Sequence, residues 1–278
     1  MTETKTLVTG LCVGESPRWH EGRLWFSHWG VQEIVAVTPD GESEVVGRGP
    51  KPAGFCLGRL PDGRLLVTGE HELLRVEPDG TTSVHADLGE LPAGPNEVVV
   101  DGRGRIYVNC VGFDFGRADF APGVIALVGP GGEARVVAED LYFPNGMVVT
   151  PDGSTLIVAE SWTRRLTAFD IDADGGLSGR RVWAPIGGDG ICMDAEGAIW
   201  TQVDDEQGSA CVRVREGGEV TDRIELDRAC FAAALGGPDG RTLFMTVAVF
   251  PGVERMAEMF AGRTGEVRTA DVAVPGLV

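Results

Sequence analysis

Gly22-Arg23-Leu24-Trp25-Phe26-Ser27 is the first of six related stretches in this 278-residue chain. The others are Gly63-Arg64-Leu65-Leu66-Val67-Thr68, Gly104-Arg105-Ile106-Tyr107-Val108-Asn109, Ser154-Thr155-Leu156-Ile157-Val158-Ala159, Gly197-Ala198-Ile199-Trp200-Thr201-Gln202 and Arg241-Thr242-Leu243-Phe244-Met245-Thr246. Each is a short apolar and β-branched run beside a turn signal, the pattern of a strand. With Leu24, Leu65, Ile106, Leu156, Ile199 and Leu243 as markers, the successive spacings are 41, 41, 50, 43 and 44 residues. Periods of that size belong to propeller blades.

Glu21-Gly22, Asp62-Gly63, Asp101-Gly102, Asp152-Gly153, Glu196-Gly197 and Asp239-Gly240 precede or overlap the six stretches. Such pairs give positive φ at little steric cost, so each predicts a hairpin between an upstream strand and the marker strand. Downstream, strand-like runs such as 33–37, 73–76, 123–127, 165–169 and 210–214 follow, and further runs such as 43–46 and 133–137 come after them. Four strands per unit predict an all-β fold, a six-bladed β-propeller with four-stranded blades around a central channel. A blade needs neighbours on both sides to bury its faces, so residues 1–278 are expected to form a single domain. Residues 271–274 are expected to close the ring by pairing with residues 5–8. Helix is expected only near 253–260, and 111–122 reads as an extended loop of the kind that often covers a site.

Composition excludes several functions. Lys and Arg number 24 against 42 Asp and Glu, a net charge of −18, and no basic block interrupts the chain. Nucleic acid and anionic membranes are disfavoured as partners. The first ten residues lack a basic and apolar leader, and no run approaches the length of a membrane span, so a cytoplasmic protein, monomeric or weakly self-associating, is expected. The six cysteines form no CxxC pair and stand in apolar surroundings, which predicts buried free thiols.

Equivalent positions in different blades converge on the propeller axis, so counting back from the markers locates channel residues. Glu15, Asn96, Asn145 and Asp189 lie nine to eleven residues before Leu24, Ile106, Leu156 and Ile199. The corresponding places in the second and sixth units fall around Phe55 and Cys56 and around Ala233 and Ala234. Two carboxylates and two amides buried around one point are costly without a counter-ion. A single divalent cation removes that cost, and all-oxygen donors suit Ca²⁺ first, with Mg²⁺, Mn²⁺, Zn²⁺ and Fe²⁺ as alternatives. Each residue alone has an ordinary reading: Asn145 and Asp189 stand before glycines as turn residues do, Glu15 reads as a loop carboxylate and Asn96 as a turn cap. Their shared register is what singles them out. His28 and Glu160 sit at the ends of marker strands near the rim, where either contacts substrate or is a satisfied strand-end polar group. No GxSxG elbow, phosphate loop or zinc-protease helix motif occurs.

Gly14-Glu15-Ser16-Pro17-Arg18-Trp19, Pro95-Asn96-Glu97, Phe143-Pro144-Asn145-Gly146-Met147 with Thr150-Pro151-Asp152-Gly153, and Gly188-Asp189-Gly190-Ile191 together resemble the senescence marker protein, gluconolactonase and luciferin-regenerating enzyme group of six-bladed propellers. The resemblance implies that Glu15, Asn145 and Asp189 are metal ligands, with Asn96 a fourth ligand or a substrate contact. It also implies lactone hydrolysis, while relatives with a similar site act on organophosphates. Sugar-lactone members resemble one another in an Arg two residues before the Asn matching Asn96; here that residue is Gly94. The departure points to a less polar lactone or ester, with Trp19, Phe55, Phe113, Phe115, Trp162 and Phe250 as candidate apolar walls and Glu160 as a further candidate contact. The expected mechanism uses the metal as Lewis acid on the carbonyl and Asp189 as general base. Two competing readings are hydrolysis of phosphoesters or phosphofluoridates at the same metal and a non-catalytic propeller with a structural ion.

Overall fold

In the computed structural model, which describes residues 3–277, the six stretches lie in the second strands of six four-stranded antiparallel sheets. The innermost strands of blades 1 to 6 are Val13–His20, Leu57–Arg59, Pro95–Val100, Pro144–Val149, Cys192–Met193 and Ala229–Gly236. Each touches the innermost strand of the blade on either side, which closes a ring around the channel. The marker strands behind them are Arg23–Trp29, Leu65–Thr68, Ile106–Cys110, Thr155–Glu160, Ile199–Asp205 and Thr242–Ala248.

Apolar residues occupy both faces of the marker strands because each blade is covered on both sides. In blade 4, Leu156 and Val158 point toward blade 3 and pack with Tyr107, Ile125 and Phe169, whereas Ile157 and Ala159 point toward blade 5 and pack with Ile191, Ile199 and Val212. This is the two-residue alternation of a strand, used to fill two interfaces at once. One buried apolar wedge stands at each of the six interfaces, including the one between blades 6 and 1, where Phe26 and Leu24 meet Phe244 and Ala234.

The acidic turn residues have a second use. Asp62, Asp101, Asp152, Asp194 and Asp239 each accept a hydrogen bond from the backbone N–H two residues on, the Asx geometry that fixes a turn. Asp101 and Asp194 are also buried and paired at 2.6 Å with Arg105 and Arg213. In blade 1 the hairpin instead has positive φ at both Glu21 and Gly22. In blade 3 the residue with positive φ is Gly104 rather than Gly102.

Ring closure differs from the expected pairing. The outermost strand of blade 6 is the N-terminal strand Lys5–Leu11, paired with Gly265–Asp271, so that Lys5 faces Thr269 and Leu11 faces Gly265. Residues 271–274 mostly run past the sheet, and Val272 packs against the wedge between blades 5 and 6. Residues 5–8 lie in the closing strand as expected, but their partner is Gly265–Asp271, whose Glu266 and Arg268 interrupt the apolar run that 271–274 displays. A 3₁₀ turn at Val253–Arg255 and a helix at Met256–Gly262 match the expected helical segment. Residues 111–122 form no strand. All six cysteines are free, five of them buried. Among the described residues no helix is long and apolar enough to cross a membrane.

Candidate metal and active site

Strand pairing gives the channel register. Opposite the markers Leu24, Leu65, Ile106, Leu156, Ile199 and Leu243 stand Trp19, Arg59, Val100, Val149, Met193 and Leu235. Four residues before each of those come Glu15, Phe55, Asn96, Asn145, Asp189 and Phe231. All six hold one place in the repeat. In blade 6 that place is Phe231, not Ala233 or Ala234 as counting along the chain gives. The hairpin there is the longest: Leu235 and Leu243 are eight residues apart, against five for Trp19 and Leu24.

Backbone irregularity aims these side chains. Register shifts fall between Glu15 and Arg18, Pro95 and Val98, Pro144 and Met147, and Cys230 and Ala232. A bulge there bends the strand and redirects a side chain that regular pleating would send into a wedge. In blade 1 the bulge runs through Ser16, at φ +52°, and Pro17. Proline has no N–H to donate, so the ladder loses no donor of its own at that residue.

Glu15 is 5% exposed, and the N–H of Ser16 donates to its Oε2 at 3.0 Å. Burial first, and then the Asp189 charge, push the Glu15 carboxyl well above the ordinary carboxylate range. Asp189 is pushed up to about 7, chiefly by desolvation and then by the Glu97 charge, against a side-chain hydrogen bond from Asn145. Arg18 does not relieve the pair, because its guanidinium donates to Glu97 Oε1 at 3.2 Å and to the Val98 carbonyl. Two acids thus face each other under desolvation, without a cation partner among the described residues.

The amides complete the set. Asn96 Nδ2 donates to the Pro144 carbonyl at 3.1 Å, and Asn145 Nδ2 to Ser161 Oγ at 3.4 Å. Asn96 therefore directs its NH₂ group into the protein, the Asn145 NH₂ is shared between Ser161 and Asp189, and among the described residues neither Oδ1 accepts a hydrogen bond. Asn109 Nδ2 holds the Asn145 carbonyl at 2.7 Å, Ser161 Oγ holds the Gly188 carbonyl at 2.7 Å, and Gly146 N–H reaches the Asp189 carbonyl at 3.2 Å. Gly190 permits the approach of blade 6, since a Cβ there would stand 2.4 Å from Ala232 Cβ. Among the described residues no three His, Cys, Asp or Glu form a ligand cluster. The donor set that fits a cation is therefore mixed: carboxylate oxygens of Glu15 and Asp189 with amide oxygens of Asn96 and Asn145, all hard ligands.

Sequence reasoning passed over Glu97, Asn109 and Ser161, which hold or electrostatically bias this set. Asn109 and Ser161 carry one legible signal: both sit at or just past the ends of marker strands, level with the inner-strand bulges. The remaining candidates separate. Phe113 is 7% exposed and meets Phe143, which precedes Pro144-Asn145, edge-on at 6.0 Å. Trp19 lies four residues along the strand from Glu15 and stacks on Phe244 at 5.3 Å in the wedge between blades 6 and 1, away from the four donors. Phe55 is wholly buried, packed with Ile34 and Leu57 between blades 1 and 2. Glu160 is wholly buried, bonded to Arg165 and Thr167, and its Oε2 accepts the Tyr142 N–H at 2.8 Å. It thereby anchors the segment leading to Asn145. His28 is likewise buried and engaged, accepting the Cys12 N–H on Nε2 at 2.9 Å.

Comparison with known proteins agrees with this architecture. Residues 13–249 match the family described as SMP-30/Gluconolactonase/LRE-like region. Pentonolactonase XacC of Haloferax volcanii is 26% identical over 258 residues, covering 89% of this chain and 86% of that protein. A 6-deoxy-6-sulfogluconolactonase of Pseudomonas putida is 26% identical over 248 residues, 84% of this chain and 82% of the relative. Among solved structures, a luciferin-regenerating enzyme superposes with a TM-score of 0.84 at 18% identity, covering 100% of this chain and 98% of the other.

Proposed function

The chain belongs to the SMP-30/gluconolactonase/LRE-like family, and from that membership we propose that it hydrolyses small lactones at a divalent cation held by Glu15, Asn96, Asn145 and Asp189. The observation that carries the reading is the buried pair Glu15 and Asp189, each disfavoured as an anion by the other's presence or by its surroundings and neither partnered by an arginine. Relatives named as lactonases support the reaction class. Hard oxygen donors favour Ca²⁺ over softer ions.

A divalent cation bound at this set supplies a Lewis acid for the lactone carbonyl. The chain's own groups do the rest. Asp189 takes the proton of the attacking water on a carboxylate oxygen and returns it to the ring oxygen as the ring opens, which balances the proton inventory of the reaction. Asn96 and Asn145, with their NH₂ groups fixed by Pro144 and Ser161, hold their amide oxygens in one orientation, so no reorganisation is needed when substrate enters. Asn96 serves either as the fourth ligand or as the contact for a substrate oxygen.

The test strips the protein with chelator and restores Ca²⁺, Mg²⁺, Mn²⁺, Zn²⁺ or Fe²⁺ singly. Acid release is then followed from sugar and aliphatic lactones beside a phosphofluoridate. Cation-dependent acid release from lactones is expected, with Ca²⁺ effective. Lactone opening that survives chelation, or phosphofluoridate turnover without lactone turnover, overturns the proposal.

A further inference from the structure

The loop 111–122 leaves blade 3 after Cys110 and carries Phe113, Phe115 and Phe120 against Tyr142, Phe143 and Trp162 of blade 4. Its neck is pinched at Gly112, where φ is +91° and a Cβ would stand 2.1 Å from the Pro122 carbonyl oxygen. Phe113 is the buried hub, set edge-on to Phe115, Phe120, Phe143 and Trp162. Phe120 stacks between Tyr142 at 5.3 Å and Trp162 at 4.6 Å, both 24° from parallel. Backbone bonds from Ser161 to Phe143 at 3.0 Å and from Trp162 to Tyr142 at 3.4 Å lock the blade-4 side.

Two properties turn this packing into a recognition surface. Trp162 is 51% exposed, and Tyr142, Phe120 and Phe115 are each more than a third exposed. A contiguous aromatic surface of this kind marks a binding site more often than ordinary protein exterior. Its position is also fixed relative to the chemistry. Phe143 is two residues from Asn145, and Ser161, next to Trp162, receives the Asn145 amide. A molecule whose reacting group lies at Asn145 has its substituent over these rings. Hydroxyl groups turned to the ring faces would lose water partners that carbon rings do not replace, whereas methylenes and aryl carbons laid on those faces would lose only unfavourable hydration.

At position 94, two residues before Asn96, a Cβ would stand 2.4 Å from the Glu70 carbonyl oxygen, so the backbone of blade 2 leaves no room for a side chain that could offer a polar group. We propose that the aromatic ledge of loop 111–122, Tyr142, Phe143 and Trp162 is the specificity subsite of this enzyme, selecting lactones with an alkyl or aryl substituent over polyhydroxylated ones. The proposal rests on the lactone reading above and names its substrate class.

The experiment measures kcat/KM of the cation-replete protein on γ-butyrolactone, γ-hexalactone, γ-octalactone, γ-decalactone, γ-phenyl-γ-butyrolactone and glucono-δ-lactone. A rise of about two- to fourfold per added methylene over the first few carbons is expected, the magnitude of burying a CH₂ on a partly open surface. Trp162→Ala and Phe120→Ala are expected to reduce the ratio of γ-decalactone to γ-butyrolactone efficiency at least tenfold. A flat chain-length profile, preference for glucono-δ-lactone, or an unchanged ratio in Trp162→Ala overturns the inference while leaving lactone opening intact. If no lactone is opened, the function proposed above fails instead. The ledge is then read by calorimetry with 5-phenyl-2-pyrrolidinone against 2-pyrrolidinone, lactams that resist ring opening. At least tenfold tighter binding of the phenyl compound, lost in Trp162→Ala, supports the subsite, and equal or absent binding overturns it.

Discussion

Arg18 and Glu97 meet across two blade boundaries, guanidinium Nη2 to carboxylate Oε1 at 3.2 Å, and this pairing commits the arginine to Glu97 rather than to Glu15 or Asp189. Glu97 is 3% exposed and Arg18 about a third. Removing the arginine leaves a buried carboxylate without its cation, which in a fully buried pair costs about 3–5 kcal/mol. The exposure of Arg18 lowers that to roughly 2 kcal/mol. Arg18→Met is therefore expected to destabilise the protein by that amount, and adding Glu97→Gln to recover more than half of it. Urea unfolding of the four proteins of the cycle checks this. A loss unaffected by the second substitution would show that Arg18 acts through packing alone.

The metal-free protein should respond to pH in the opposite sense to most proteins. Asp189 titrates near 7 when folded, against an ordinary value of 3.8, and Glu15 is displaced in the same direction. Between those values the folded state holds protons that the unfolded state has released, so the unfolded state binds fewer and stability falls as pH rises. The protonated contribution is complete below about pH 4 and is lost by about pH 7 or above, a change on the order of a few kcal/mol. Chelator-treated protein is expected to melt at a higher temperature at pH 5 than at pH 8. Added Ca²⁺ should reverse the order, since the ion replaces the proton as counter-charge. Scanning calorimetry at the two pH values decides the matter, and a Tm that rises with pH under chelator would contradict it.

Neutralising either acid should stabilise what it disables. Glu15→Gln and Asp189→Asn each remove one of two repelling buried charges, so the metal-free protein is expected to gain about 1 kcal/mol or more at pH 8. Both variants should lose the stabilisation given by Ca²⁺. Asp189→Asn should in addition lower lactone turnover by about a hundredfold or more, the usual scale for loss of a general base. Melting curves with and without Ca²⁺, run beside initial rates, test both halves. Unimpaired turnover in Asp189→Asn would remove that residue from the chemistry.

The legible part of this molecule is what repeats. Six apolar runs at blade spacing gave the architecture, because every blade must bury two faces and so repeats the same strand chemistry. Glu15, Asn96, Asn145 and Asp189 are singled out for the same reason: each stands four residues before the inner-strand residue that pairs with its blade's marker. Phe231 is not reached by counting because the blade-6 hairpin is longer, and the partner of the N-terminal strand, Gly265–Asp271, is not legible because Glu266 and Arg268 break its apolar pattern. Glu97 was not legible as a neighbour of the acids, since its pairing to Arg18 arises only when blades 1 and 3 converge. Trp19 and Glu160 show the limit of residue type as a guide. An aromatic on the inner strand belongs to a wedge when the pleat sends it sideways, and a rim carboxylate becomes an anchor when two arginines and a backbone N–H reach it first.

Position 94 should resist any side chain. A Cβ there would lie 2.4 Å from the Glu70 carbonyl oxygen, a backbone atom that cannot rotate aside. Relief requires moving the 69–72 segment, which is tied down by the Gly69 N–H on the Glu72 carbonyl and by the His71 N–H on Glu72 Oε2. Overpacking of that kind costs about 1–3 kcal/mol. Gly94→Ala is expected to be destabilised within that range and Gly94→Arg at least as much, with no gain in glucono-δ-lactone hydrolysis from the arginine. Gly102→Ala is the control: no neighbouring atom outside its adjoining residues lies within 4 Å of a Cβ there, and the backbone is not left-handed, so its stability should be unchanged or slightly raised. Thermal melts of the three variants, with kcat/KM on glucono-δ-lactone for Gly94→Arg, measure the difference. An arginine variant that melts with the parent and opens the sugar lactone would mean that blade 2 yields, and that the missing guanidinium, rather than the crowded backbone, excludes such substrates.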